Sequence, residues 1–427
     1  MNKKKYNLAF SDTDNTMYDA EDMEAVFMEG YKTKRFSDEE LIALPYGSYM
    51  FSLPERHPVY YDSENDNFKT LDQTEDGSSA WGAACHLASG YLRTALPAYR
   101  KISDAEPLPM WAYSAVVFKD GEYFTPAIHI DEDPRSNPEL HENRSELKSA
   151  IKVVKKLYPE NRLVNQLGTC SRQYNCLCAR NFFLGRYEAP LPTSPACNAR
   201  CTGCLSQQQE ESGFVESQPR LNFKPSPKEI SQVILHHFND VEHAISSFGQ
   251  GCEGEPLLRG NDLAKAIALV RKKTTKGTIN CNTNGSKPEV VNEMIEAGLN
   301  SIRISFASPT KRYYERYHNP VDYSFENVIE TLELCLKKEI FVSINLFFMP
   351  GFTDARDEVS SLRKFLKNYP VNMIQTRNMN MDPDLYFETM NYIDDNPGET
   401  IGIANLIAEI RRDFPAVRLG YYNPSLD

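Results

Sequence analysis

The chain has 427 residues, with 59 Asp and Glu against 47 Lys and Arg, a formal net charge of −12 and 41% apolar residues. That length exceeds what one compact core usually accommodates, so two domains, or one large α/β domain with an extension, are expected. The acidic balance disfavours a broad nucleic-acid footprint and no apolar run reaches the length of a bilayer span, so a cytoplasmic protein is expected, without membrane or nucleic-acid partners.

The basic start, Met1 to Lys5, leads into an apolar stretch broken by Asp12 and Asp14, which does not make a secretory signal. Asp12-Thr13-Asp14-Asn15-Thr16 looks like the nucleophile motif of haloacid-dehalogenase-type phosphatases, but no alternation of strands and helices follows, and an acidic turn is the preferred reading. Ser48 to Tyr61 is rich in strand formers, interrupted by Pro54 and Pro58. Trp111 to Phe118, Asp120-Gly121 and Tyr123 to Ile130 predict a hairpin with a type I′ turn. Asp131 to Asn143 is polar and proline-bearing, and a helix carrying Leu147, Ile151 and Val154 follows. The organisation expected is an N-terminal α+β, mostly β, domain at 1–143, a connecting helix and Cys-containing linker at 144–187, and an α/β domain at 188–427.

Ten cysteines in a cytoplasmic chain read as metal ligands, reactive thiols or core residues rather than disulfides. Cys85, Cys281 and Cys335 read as core, whereas Cys252, beside Gly254-Glu255-Pro256, is a possible site thiol. Cys197, Cys201 and Cys204 form C-x3-C-x2-C, a spacing that lets one short loop grip three corners of an iron-sulfur cube and leave the fourth iron open. A structural zinc site usually closes with a fourth Cys or His at short spacing, and no histidine occurs between Cys204 and His236. Cys170, Cys176 and Cys178 form a second group, either ligands of an auxiliary cluster or packed small residues.

From about residue 225, strand-like runs alternate with amphipathic helices. Ile245 to Phe248, Thr278 to Asn282, Ser301 to Ser305, Phe341 to Phe348 and Met373 to Thr376 lie roughly 25 to 40 residues apart, the interval of repeated βα units. Ser226-Pro227 with Glu229 predicts a capping box, and Ser286, Ser324 and Thr353 offer similar starts. Val290, Met294 and Ile295 are expected to face inward, with Gly298 ending their helix. The basic cluster Arg271, Lys272, Lys273 and Lys276 is expected to end a helix and face water. Such a series implies a partial or complete α/β barrel.

Taken together, Cys197, Cys201 and Cys204, Gly254-Glu255-Pro256 about fifty residues on, and Thr283-Asn284-Gly285 closing the third strand resemble the radical S-adenosylmethionine (radical SAM) superfamily across roughly residues 188 to 385. The resemblance implies a partial (β/α)6-type radical SAM barrel behind the N-terminal domain, a 4Fe-4S cluster on the three cysteines, and SAM chelating the open iron. Reductive cleavage of SAM would then give a 5′-deoxyadenosyl radical that abstracts hydrogen from a substrate, a peptide, protein or small metabolite being favoured. It also implies an electron donor of the flavodoxin or ferredoxin type. The backbone around Gly254, Glu255 and Pro256 is expected to receive the SAM ammonium, Ser305 with Asn282 or Asn284 the carboxylate and ribose, and Asn345 to Met349 the adenine border. Two departures stand out: Gly203 replaces a bulky residue before the third cysteine, and Glu253 a glycine before Gly254. Phe248 or Phe348 would have to stack on the adenine, unless both are core. The competing expectation is a non-enzymatic iron-sulfur or zinc protein acting as redox sensor or scaffold.

Overall fold

The computed structural model describes residues 6–208, 213 and 215–427; the basic start at 1–5 lies outside them. Strands that pair antiparallel make up most of the chain to His129, and among the described residues the first α-helix begins at Arg144. The predicted hairpin joins Val117–Lys119 to Glu122–His129, and Asp120 (φ 52°) and Gly121 (φ 89°) both adopt the left-handed backbone that a type I′ turn requires. Pairing on its first arm begins only at Ser114, because Trp111 turns back onto the Pro109 carbonyl. Pro54 lies in the turn between Tyr49–Leu53 and Arg56–Asp62, while Pro58 sits inside the second strand and its carbonyl still accepts from Leu71. Asp12 is a turn residue, its carboxylate receiving Asp14 N and Thr16 N.

Seven parallel strands form the second sheet in sequence order: Glu188–Leu191, Ile245–Phe248, Thr278–Thr283, Ser301–Phe306, Phe341–Phe348, Met373–Asn378 and Arg418–Gly420. The five predicted strands are its centre. The two edge strands are too short to announce themselves by pattern, and they leave the barrel partial. The C-terminal tail crosses from one edge toward the other: Asn423 donates to Glu188, and Leu426 N to Thr278. Residues 131–143 help to hold it, since Asp131 accepts Tyr421 N and buried Arg135 donates to the Asn423 carbonyl.

Helices α1 (Arg144–Leu157), α2 (Arg162–Arg172) and α3 (Leu177–Phe183) precede the barrel, with Leu147, Ile151 and Val154 buried as expected. The outer layer includes α4 (Pro227–Asp240), α5 (Gly260–Arg271), α6 (Pro288–Ala297), α7 (Lys311–His318), α8 (Phe325–Lys337) and α9 (Arg356–Asn368), and a later helix, Ile403–Asp413, packs in the same core. The Ser226–Glu229 capping box is present, as is one between Ser324 and Asn327. Two starts differ from expectation. Helix α6 begins after Lys287 because the Ser286 hydroxyl is held by Asn198, and α9 begins after Ala355 because the Thr353 hydroxyl accepts from Met349 N. In α6 Val291 and Met294 are fully buried, whereas Val290 and Ile295 are only partly so. Gly298 ends that helix at φ 111°. Lys272, Lys273 and Lys276 face water, but Arg271 folds back to cap the Gly298, Lys276 and Gly277 carbonyls.

One apolar core lies between the parallel sheet and its helices. A second joins the N-terminal sheet to the barrel, with Leu53, Leu96 and Tyr113 packed among Tyr317, Met349, Phe352 and Tyr386. Arg56 and Asp382, each 1% exposed, form an ion pair across this boundary at 3.0 Å. Arg93 donates to the Met379 carbonyl just beyond the Met373–Asn378 strand. The N-terminal sheet therefore covers the carboxyl ends of the barrel strands, the face on which barrels of this kind carry their sites. No helix among the described residues is long and apolar enough to cross a membrane.

Candidate cluster and cofactor site

The loop after Glu188–Leu191 carries Cys197, Cys201 and Cys204, and three sets of bonds hold it. Gly254 N donates to Ser194 O at 2.7 Å and Glu255 N to Ala196 O at 2.8 Å, zipping the loop to the segment after Ile245–Phe248. A Cβ on Gly254 would stand 1.9 Å from the Ala196 oxygen, so only glycine permits this approach. Glu253, 5% exposed, accepts from Thr193 N, Ser194 N, Gly249 N and Gln250 N. Asn198 donates to Asp322 and Ser286 and accepts from Asn284, and Arg200 N and Thr202 N donate to carbonyls at the end of α7.

The three thiols are half-buried on this loop. Burial pushes Cys197 up to about 11, with Glu255 adding to the effect. Burial first, then Cys197 and Cys204, push Cys201 well up. Three thiolates so placed repel one another and need a cationic centre to coexist. Two donors face their sulfurs: Arg220 Nη2 donates to Cys204 Sγ at 3.3 Å, and His318 Nδ1 stands 3.4 Å from Cys201 Sγ. One loop with three thiols and N–H donors around them fits an iron-sulfur cluster.

Beside the loop lies a cavity of about 480 Å³ whose wall includes Gly203, Asn282, Tyr317 and Asn345. Of the residues expected to contact cofactor, Asn282 and Asn345 reach it. Asn282 is tied to the Gly249 carbonyl, while Asn345 Oδ1 is buried without a partner among the described residues. Asn284 is turned away to brace Asn198. Ser305, half-buried, pairs in register with Asn345 on the neighbouring strand. The Glu255 carboxylate accepts from Leu257 N, Thr283 Oγ1 and Asn284 N, tying two strand ends together, and burial raises it to about 7. Pro256 opens the short helical turn that Glu255 caps.

The expectation for adenine stacking changes. Phe248 and Phe348 are fully buried in the barrel core. Tyr317 and Phe347 line the cavity instead, and a Cβ on Gly203 would stand 2.4 Å from the Tyr317 hydroxyl. A ring from α7 thus fills the space beside the third cysteine.

The second cysteine group is spread over two helices. Cys170 lies on α2, Cys176 caps α3 by accepting Ala179 N, and Cys178 points to the Glu188 carbonyl at 3.6 Å and lines the cavity. Buried Cys252 stands beside Cys170, and the two thiols act on each other in opposite senses, Cys170 being lowered and Cys252 raised. Among the described residues, no three Cys, His, Asp or Glu side chains stand as the ligand set of a single metal ion. Cys85, Cys281 and Cys335 are buried.

Sequence reasoning missed Glu253 as a brace, along with Asn198, Arg220, Tyr317 and His318. Only Glu253 left a trace, as a carboxylate where the resemblance calls for glycine. The others act across turns or from α7, where no spacing rule applies.

Comparison with known proteins adds the family. Residues 191–363 match the model of the Radical SAM superfamily. A candidate glycyl-radical enzyme activating enzyme of Methanocaldococcus jannaschii is 26% identical over 145 residues, and an uncharacterized protein of the same organism 30% over 118. The matches cover 32% and 27% of this chain, and the chain spans only 58% and 39% of those relatives' lengths. Among solved structures, the FeFe-hydrogenase maturase HydG from Carboxydothermus hydrogenoformans aligns at TM-score 0.35 and 13% identity, covering 64% of this chain and 74% of that one. A spore photoproduct lyase mutant with bound AdoMet aligns at 0.38 and 14%, covering 61% and 95%. The chain carries a radical SAM domain at residues 191–363.

Proposed function

We propose that Cys197, Cys201 and Cys204 hold a 4Fe-4S cluster whose open iron takes SAM, and that the cavity beside the loop receives SAM and a substrate. When bound, this pair would supply one-electron cleavage of SAM and hydrogen abstraction from the substrate. The observation that carries the reading is the convergence of the cysteine loop, through Gly203, with Asn282, Tyr317 and Asn345 on one cavity wall.

The residues of the chain supply binding and orientation. Glu253 and the Gly254–Glu255 backbone fix the cysteine loop against the barrel. Carbonyls around Gly254, Glu255 and Pro256 offer acceptors suited to an ammonium, and Asn282, Ser305 and Asn345 offer polar contacts near it. Asn284 acts through Asn198 on the loop. The N-terminal region, taken as a domain to residue 143, contributes His86 and Ala112 to the cavity wall, keeps water out and selects the substrate. Residues 144–187 form the link to the barrel domain at 188–427, and a flavodoxin- or ferredoxin-type protein supplies the electron.

Anaerobic reconstitution with iron and sulfide tests the reading. A brown protein that releases 5′-deoxyadenosine from SAM and dithionite, and variants C197A, C201A and C204A that are colourless and inactive, are expected. A cluster inert to SAM, or a colourless zinc-loaded protein, would leave a redox sensor or scaffold instead. Iron remaining when Cys197, Cys201 and Cys204 are all replaced by Ala would point to an auxiliary cluster at Cys170, Cys176 and Cys178.

A further inference from the structure

The cavity is strongly cationic in an acidic chain. Its wall carries Arg135, Arg303 and Arg377 against the single carboxylate of Glu188, whereas the whole chain carries −12. Arg135 is already paired with Asp133 at 2.7 Å, and Glu188 is engaged by Asn423 and by Arg135 at 3.9 Å.

Arg303 and Arg377 are placed differently. They lie on separate strands, Ser301–Phe306 and Met373–Asn378, yet both donate to one neutral oxygen, Gln375 Oε1, at 2.8 and 3.2 Å. Neither has a carboxylate within 4.0 Å among the described residues. The Nε2 of Gln375 is spent on Asn423. The Arg377 guanidinium carbon stands 3.7 Å from the centroid of the Tyr421 ring, a cation–π contact that leaves its charge without a carboxylate partner. Burial and the neighbouring Arg377 bring Arg303 down to about 9, still cationic at neutral pH. Two like charges sharing one amide oxygen inside a protein are costly unless an anion joins them. Planar forks of this kind match a carboxylate or phosphate through paired hydrogen bonds. On the same cavity wall, Asn181 Oδ1 and Asn345 Oδ1 are buried without partners among the described residues, so a ligand that also donates hydrogen bonds is favoured.

We propose that Arg303 and Arg377 form an anion subsite that recognises a carboxylate or phosphate group of the substrate. The inference rests on the radical SAM reading for the identity of the cavity as a substrate site. The same chemistry could come from the carboxylate of SAM itself, and the test separates the two.

The test titrates inorganic phosphate, and in parallel acetate, into the anaerobically reconstituted full chain at saturating SAM, read for phosphate by phosphorus NMR line broadening and for acetate by calorimetry. Saturable binding of at least one anion is expected, weakened at least about tenfold in R377Q and R303Q and largely kept in R377K. R377Q replaces a half-buried residue, so it reports even where R303Q fails to fold. SAM affinity, measured by equilibrium dialysis, should move less than about threefold in R377Q. Absence of saturable anion binding to the wild-type chain overturns the subsite. So does SAM displacing the anion together with an equal loss of SAM affinity in R377Q, which would make these arginines part of the SAM site. Failure to release 5′-deoxyadenosine with anion binding intact would overturn the enzymatic reading and leave the subsite standing.

Discussion

His318 presents Nδ1 to Cys201 Sγ at 3.4 Å while its Nε2 accepts the Ala307 N–H at 3.3 Å. Because a backbone amide can only donate, Nε2 must be the unprotonated nitrogen and the ring proton must sit on Nδ1, aimed at the sulfur. Burial holds the ring neutral, with its pKa down at about 3. An N–H donor to a cluster thiolate stabilises the more negative, reduced state and raises the potential.

Replacing His318 with Phe should therefore make the cluster potential more negative by tens of millivolts, roughly the worth of one modest hydrogen bond. His318→Asn, whose amide offers an N–H near the Nδ1 position, should restore most of the shift. Redox titration followed by electron paramagnetic resonance reads both variants without reference to turnover.

Gly254→Ala should cost about 3 kcal/mol or more of local stability, because its Cβ would meet backbone rather than a side chain able to yield. The cysteine loop must shift to relieve the clash. Iron content after reconstitution should fall together with the melting temperature, whereas Gly121→Ala, with open space around its Cβ, should retain full iron despite a modest cost in its left-handed turn.

The buried pair Arg56–Asp382 joins the N-terminal sheet to the barrel. Arg56→Met leaves the Asp382 carboxylate buried with only amide donors such as Leu108 N and Asp384 N, and should destabilise by about 3–5 kcal/mol. The double variant R56M/D382N, which removes the buried charge but keeps an amide oxygen as acceptor, should recover part of that loss. Urea denaturation of the four proteins in the cycle measures the coupling.

Asp354 gives a pH dependence. It is fully buried, accepts Gly351 N and Gly402 N, and is raised from 3.8 to about 7, by burial first and Glu29 next. Below about pH 4 both folded and unfolded chains hold its proton; as pH rises to about 7 the unfolded chain releases it first, so this group's contribution falls over that window. The fall is on the order of 3–4 kcal/mol and is complete above about pH 8. Asp354→Asn should lose about 1–3 kcal/mol near pH 4 through its weakened acceptor set, and because Asn does not titrate it should flatten the slope between about pH 4 and 7, so that the deficit disappears or reverses above about pH 7. Urea denaturation across that range checks the difference between the two proteins.

Much of the barrel was legible because its signals are local. The five central strands, the Ser226–Glu229 and Ser324–Asn327 caps and the Gly298 stop depend on residues within one turn or one strand of each other. The C-x3-C-x2-C loop and Gly254-Glu255-Pro256 are contiguous for the same reason. The edge strands Glu188–Leu191 and Arg418–Gly420 were not legible, being four and three residues long. Nor was the start of α6, where a tertiary bond from Asn198 claims Ser286.

The sequence by itself determined that three thiols sit on one short loop ahead of a parallel βα series, because both follow from nearest-neighbour spacing and periodicity. Only the tertiary structure decided what surrounds them. Tyr317 fills the space at Gly203, Glu253 staples the loop, His318 faces Cys201, and Arg303 and Arg377 meet at Gln375. Those partners lie up to more than a hundred residues apart. Strand register and the curl of the sheet bring them together, and neither is written in local pattern.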